Sequence, residues 1–205
     1  MKAPVLLLHG VWMRGPSLAL LAYRLSQQGF EPKIIGYPSI FGGTDKACRR
    51  IHQAIRADDR KPHLVGHSLG GLMALLTLQQ YPDLAIGRLV CLGSPLQGST
   101  AARSLVQSGH GWILGKSAQL LQQGIGGLPG KYEIGMLAGN QALGIGRAFA
   151  HLPDDSDGTV AVSETQCPGL SDHQVIHTSH TGLLFSPQAA ELTANFLRQG
   201  KFQTQ

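Results

Sequence analysis

The sequence predicts an α/β protein: a doubly wound, mostly parallel sheet with helices on both faces. Two observations carry this prediction. Short unbroken apolar runs such as Val5-Leu6-Leu7-Leu8 recur along the chain, as expected of strands covered on both faces. Between them lie helical segments of the length that right-handed crossovers between parallel strands require. At 205 residues the chain fits one domain, 1–205, with a continuous core.

The elements follow in order. After Val5 to Leu8, a Gly/Pro break leads to Leu18, Leu21, Ala22 and Leu25, spaced as one helix face, with Pro16 at its start and Gly29 at its end. Lys33-Ile34-Ile35 reads as a second strand. Thr44 is placed to cap a helix whose inner face is Ala47, Cys48, Ile51, Ala54 and Ile55. His63-Leu64-Val65 is a third strand, Leu69 to Gln80 a helix, and Ile86 to Leu92 a fourth strand. The alternation lapses over 99–131, a stretch rich in Gly, Ser and Gln, where Trp112, Ile113, Leu114, Leu120 and Leu121 can build one short amphipathic helix. Tyr132 to Leu137 and the alternating His173 to His177 read as later strands. Ser186-Pro187 opens a last helix that turns Ala189, Ala190, Thr193, Phe196 and Leu197 inward.

Composition narrows the function. No apolar run reaches the roughly 20 residues of a membrane span. The first strand begins almost at once, leaving no room for a signal peptide, and Cys48, Cys91 and Cys167 are odd in number and widely spaced. They read as reduced thiols, so the expected compartment is the cytoplasm. The formal charge is +5, with Lys46, Arg49, Arg50, Arg56, Arg60 and Lys61 clustered around one predicted helix. A solvated helix face accounts for them; weak contact with an anionic membrane surface is the alternative. Without a nucleic-acid-binding motif beside the cluster, nucleic acid is set aside as a partner. The oligomeric state is not readable from the sequence.

Gly66-His67-Ser68-Leu69-Gly70-Gly71 stands between an apolar strand and an apolar helix and matches G-x-S-x-G, the nucleophile elbow. In a chain with 27 glycines the pattern alone is weak, so its surroundings decide. His9-Gly10-Val11, the elbow and Gly93-Ser94-Pro95 all follow strands. They therefore gather at the carboxyl edge of the sheet, where ligands bind in such folds.

Ser68 is the candidate nucleophile, and a serine hydroxyl needs a base and a group to orient that base. Among nine histidines, His180 lies in the loop beyond the last strand, where an imidazole can lean over the sheet; His177 is its rival. His67 adjoins Ser68 on a sharp turn and reads as a packing residue or as one that supports the reacting groups from behind. A zinc site built from His173, His177 and His180 lacks any cysteine or carboxylate pairing, so no metal is expected. Asp154, Asp155 and Asp157 share one polar turn, and Asp157 is the candidate orienting carboxylate because Gly158 and the apolar Val160-Ala161-Val162 follow it. The backbone N–H groups of Leu69 and Val11 are the candidate oxyanion donors, with Trp12 as the alternative to Val11. Trp12 and Trp112 are candidate substrate contacts.

Taken together, the chain resembles the α/β-hydrolase family, and within it the small bacterial serine lipases and esterases. Four segments carry the resemblance: His9-Gly10-Val11, Gly66 to Gly71, Asp157-Gly158-Thr159-Val160 and His180-Thr181-Gly182-Leu183-Leu184. It implies a minimal α/β-hydrolase fold with a small cap or lid over 99–131 and a Ser68, Asp157, His180 triad. Val11 and Leu69 would form the oxyanion hole. Gly93 to Ser99 is similar to the family's G-T-P-H-x-G-S but has leucine where the family has histidine. The implied activity is cleavage of carboxylic esters through an acyl-enzyme and without a cofactor, and the apolar residues of 99–131 suggest an apolar acyl group. A thioesterase, an acyltransferase and a non-catalytic ligand-binding member of the fold are the alternatives.

Overall fold

A computed structural model describes residues 2–13, 15–143, 152–153 and 155–203. Six strands form one sheet: β1 (Ala3–Leu8), β2 (Phe30–Ile35), β3 (His63–His67), β4 (Leu89–Leu92), β5 (Ile134–Gly139) and β6 (Asp172–Ile176). Their order is β2-β1-β3-β4-β5-β6, and all five pairings are parallel. From β1 the chain steps outward to β2, returns to β3 on the other flank of β1, and then runs steadily to β6. The winding therefore reverses between β1 and β3, and the crevice at that switch point is the preferred ligand site of an open parallel sheet.

Helices cover both faces. On one, α1 (Ala19–Gln27), α7 (Gly182–Phe185) and α8 (Pro187–Gln199) bury Leu21, Leu25, Leu184 and Phe196 against Val5, Leu7, Val65 and Val90. On the other, α2 (Thr44–Arg56) and α3 (Leu69–Gln80) pack Ile51, Leu72 and Leu75 against Leu6, Leu8, Leu64 and Leu89. Alternate strand residues thus feed alternate cores, which is why β1 is apolar throughout and β3 keeps its polar residues, His63 and His67, to its two ends. Pro32 is tolerated in β2 because that strand is an edge.

Several element ends differ from expectation. Thr44 is the first helical residue of α2, and Gly43, at φ 75° and ψ 160°, occupies the cap position without a side-chain bond. β2 begins at Phe30, earlier than its apolar core suggests, whereas β4 begins at Leu89 because the Gly87 N–H is diverted to the Pro62 carbonyl. The stretch 99–131 holds three short pieces, not one helix: α4 (Thr100–Gln107), a 3-10 segment (Gly111–Ser117) and α5 (Ala118–Gln123). Ser99 caps α4 by accepting the Ala102 N–H at 3.2 Å, and Gly109 and Gly115, both at positive φ, break the run. Backbone bonds tie the stretch to the body, Ile125 N–H to Leu96 O and Lys116 N–H to Ile40 O, and another closes it on itself, Ser99 N–H to Leu121 O. A four-residue helix, α6 (Val162–Thr165), follows the loop that contains Asp157. Among the described residues, no helix is long and apolar enough to cross a membrane.

Candidate active site

Ser68 follows β3 directly and precedes the first residue of α3. Its backbone sits at φ 54° and ψ −121°, a conformation that costs a non-glycine residue roughly 1–3 kcal/mol. Two bonds hold the turn: the Ser68 N–H donates to Leu92 O at 2.8 Å, and the Gly71 N–H donates to Ser68 O at 3.1 Å. The flanking glycines have a steric cause. A Cβ on Gly66 would stand 2.4 Å from the Gly71 nitrogen, and one on Gly70 would stand 2.3 Å from the Leu8 carbonyl oxygen. The elbow therefore closes only because strand, turn and helix touch backbone to backbone.

The structure brings Asp157 and His180 together. Asp157 is 1% exposed and its Oδ2 accepts from His180 Nδ1 at 2.6 Å. Its Oδ1 accepts the Thr159 and Val160 N–H groups at 2.9 and 2.7 Å, and the Asp157 carbonyl accepts the His180 N–H at 2.9 Å. Because a carboxylate only accepts, Nδ1 of His180 carries a proton, and in the neutral ring the lone pair is on Nε2. Gly93, at the end of β4, explains the need for glycine beside this pair: a Cβ there would lie 3.1 Å from Asp157 Oδ2 and 3.2 Å from His180 Nδ1.

The rival side chains go elsewhere. His177 is exposed and its Nδ1 lies 3.2 Å from Asn140 Oδ1, while His173 Nε2 meets Thr165 Oγ1 at 2.9 Å. Asp155 is exposed; Asp154 lies outside the described residues, as does His151. Among the described residues no cluster of His, Cys, Asp and Glu is arranged to hold a metal ion.

Val11 is half-buried in the turn that leaves β1, where the Met13 N–H donates to Gly10 O at 3.4 Å. A Cβ on Gly10 would lie 3.2 Å from Ser68 Cβ, so this turn lies directly against the elbow. Leu69 is the first residue of α3, so its N–H has no acceptor within the helix. Trp12 takes φ 61°, a strained value for a bulky side chain, and is 55% exposed.

Beside Ser68 lies an apolar cavity of about 160 Å³. Val11, Trp12, Thr159 and Val160 line it from the sheet side, and Ala102, Leu105, Ile113, Leu114 and Leu121 from the 99–131 stretch. Trp112 does not line it and is 72% exposed, because the 3-10 turn directs its neighbours Ile113 and Leu114 inward instead. A larger groove of about 470 Å³ runs past Gln97, Gln166, Cys167 and His173, but none of the candidate catalytic residues lines it. On α2, Lys46, Arg49, Arg50 and Arg56 are exposed, whereas Arg60 pairs with Asp58 and Glu31.

Two residues of the site escape motif reading. Tyr37, buried beyond β2, stacks on the His9 ring at 4.4 Å and donates its hydroxyl proton to the His9 carbonyl, which braces the turn after β1. Its partner is 28 residues away, so no local signal betrays it. His67 is 2% exposed, and its Nε2–H donates to the His180 carbonyl at 3.0 Å. Its place inside the elbow motif was the available signal.

Comparison with known proteins agrees with this architecture. The lipase BlEst2 of Bacillus licheniformis, in its mature form, superposes with a TM-score of 0.76 at 18% identity, over 98% of this chain and 92% of that one. The lin2722 product of Listeria innocua gives 0.64 at 18% identity, over 100% and 96%. The pyrethroid hydrolase PytH gives 0.67 at 14%, over 97% and 99%. No curated relative matches the sequence itself. The alpha/beta hydrolase family model matches residues 5–192, nearly the whole chain, and the protein belongs to that family.

Proposed function

We propose that the protein is a serine hydrolase that cleaves carboxylic esters with an apolar acyl group through an acyl-enzyme on Ser68. The observation that carries this reading is the buried Asp157–His180 pair, joined at 2.6 Å, at the same sheet edge as the strained elbow serine. His180 Nε2 takes the Ser68 proton as Oγ attacks the ester carbonyl, and the resulting imidazolium is stabilised by Asp157. The oxyanion of the tetrahedral intermediate is bound by the N–H groups of Leu69 and Val11. A single such donor contributes about 3–4 kcal/mol, and the N-terminus of α3 adds a favourable dipole. Collapse of the intermediate expels the alcohol, which takes the proton back from His180. Water then repeats the sequence on the acyl-enzyme and releases the acid.

The cavity beside Ser68 supports an apolar acyl group. Its volume of about 160 Å³ is close to that of apolar cavities that hold one benzene-sized guest, so acyl chains of roughly four to six carbons fit best. The names of the lipase and pyrethroid hydrolase neighbours agree with hydrolysis. The test is labelling with a fluorophosphonate, followed by turnover of p-nitrophenyl esters. Ser68 takes the label in folded protein, and Ser68→Ala loses both label and turnover by at least ~10⁴-fold with little change in Tm. A folded protein that stays unlabelled, or a Ser68→Ala variant that keeps its turnover, overturns the reading.

A further inference from the structure

We infer that His67 is a positioning residue that locks the backbone of the His180 loop against the turn after β1. The inference rests on the proposed role of His180 as the base. Three observations meet at this ring. First, the His67 Nε2–H donates to the carbonyl oxygen of His180 at 3.0 Å. Since Asp157 O accepts the His180 N–H and Asp157 Oδ2 accepts from the ring, the His180 backbone is held at both its N–H and its C=O, and its side chain at Nδ1. Asp157 fixes two of these points and His67 the third.

Second, the two imidazoles lie 4.7 Å apart between centroids, tilted by 51°, so the His67 ring also packs beside the one it positions. Third, His67 Nδ1 is buried with no hydrogen-bond partner among the described residues, and a Cβ on Gly10 would come within 3.2 Å of it. The ring therefore fills the space between the Gly10 turn and the His180 loop and spends its one proton on the latter. A buried ring with an unpartnered nitrogen is costly, and packing alone would be met more cheaply by an apolar side chain. The hydrogen bond to His180 is the return on that cost.

The arrangement needs His67 to stay neutral, because a second cation beside the His180 imidazolium would oppose its formation. Burial is the main force that keeps the proton off, pushing His67 down to about 3, and His180 itself adds to this. The titratable groups that act on the ring are His180, Asp157 and His9.

The experiment compares His67→Phe, His67→Asn and His67→Gln. Gln can place a donor near the position of Nε2, Asn only near that of Nδ1, and Phe supplies volume without a donor. With folding checked by circular dichroism, kcat on a short p-nitrophenyl ester and the rate of fluorophosphonate labelling are measured. Misplacement of a catalytic group by about 1 Å costs on the order of 100-fold, so Phe and Asn are expected to lose about 10- to 100-fold in kcat and in labelling rate. KM stays within about twofold, and Gln recovers most of the loss. Equal rates in Gln and Asn, or a loss confined to KM, overturn the inference even if Phe does not fold. Failure of the wild-type protein to label at Ser68 is a different outcome, which overturns the proposed function instead.

Discussion

The carboxyl edge of the sheet and the 99–131 stretch meet at one cavity, but they are built by different forces. At the sheet edge, position is set by directional bonds: Asp157 alone accepts four, from the Thr159 and Val160 N–H groups, the His180 ring and the His180 N–H. The 99–131 side meets the cavity with Ala101, Ala102, Leu105, Ile113, Leu114 and Leu121, side chains that offer shape and no hydrogen bonds, and with Ser99, whose hydroxyl oxygen accepts the Ala102 N–H that caps α4. Hydrogen bonds fix atoms to fractions of an ångström and fail abruptly when one partner is lost. Apolar contact is graded in volume and shifts gradually. The sheet edge should therefore govern whether the reaction proceeds, and the 99–131 side which acyl group is accepted.

The largest effect expected after loss of Ser68 itself comes from Asp157→Asn. An amide that turns its NH2 toward His180 Nδ1 favours the wrong tautomer of the ring, with the proton on Nε2, so the proposed base has no lone pair there to accept the serine proton. The expected loss in kcat is about 10³- to 10⁴-fold, with KM little changed. A loss under tenfold on a p-nitrophenyl ester would mean that the carboxylate does not orient the base, and the contrast between the two regions would lose its basis.

What the sequence disclosed about the two regions differs in the same way. The sheet edge was legible because its constraints are local and typed. Gly66 and Gly70 must lack a Cβ, Ser68 must stand between strand and helix, and Asp157 precedes the two N–H groups that its own side chain captures. The loop position beyond the last strand pointed to His180 over His177, and in the structure the return of the chain after β6 turns the first toward Asp157 and the second toward Asn140. Tyr37 was invisible because its bond to the His9 carbonyl joins positions far apart in sequence. In 99–131 the apolar residues were legible but their assembly was not. Glycines break one periodic signal into three short pieces, whose orientation is set by long-range bonds such as Lys116 N–H to Ile40 O. That is also why Ile113 and Leu114, not Trp112, reach the cavity.

Acid offers a second way to separate the regions. Burial lowers His67 from the ordinary 6.5 to about 3, so the folded state refuses a proton that the unfolded chain accepts. Above about pH 6.5 both states are neutral and His67 exacts no penalty. Below it, stability falls by about 1.4 kcal/mol for each pH unit until the folded ring titrates. His9 at the same edge is also lowered, again chiefly by burial, and acts with the same sign. Urea unfolding at pH 6.5, 5.5 and 4.5 should show the wild-type protein losing stability more steeply than His67→Gln, by about one proton's slope. Parallel curves for the two proteins would show that His67 is protonated in the folded state, contrary to its burial.

The smallest effects belong to the 99–131 wall, and a pair of opposite substitutions tests them. Ala102→Val fills part of the cavity from α4, and Leu114→Ala enlarges it from the 3-10 segment. Each buried methylene is worth about 0.8 kcal/mol, or roughly fourfold in kcat/KM. The ratio of kcat/KM for an eight-carbon over a four-carbon p-nitrophenyl ester should thus fall by about three- to tenfold in Ala102→Val and rise by a similar factor in Leu114→Ala. The rate of fluorophosphonate labelling with a small reagent should change little in either, because neither side chain takes part in the bonds around Asp157 and His180. Opposite shifts in the ratio with an unchanged labelling rate would separate selection by shape from catalysis by fixed hydrogen bonds. If both variants shifted the ratio in the same direction, the acyl chain would have to lie outside this cavity. If instead they slowed labelling as strongly as Asp157→Asn, the wall would be acting on the position of the reacting atoms, and the two regions would be one mechanical unit.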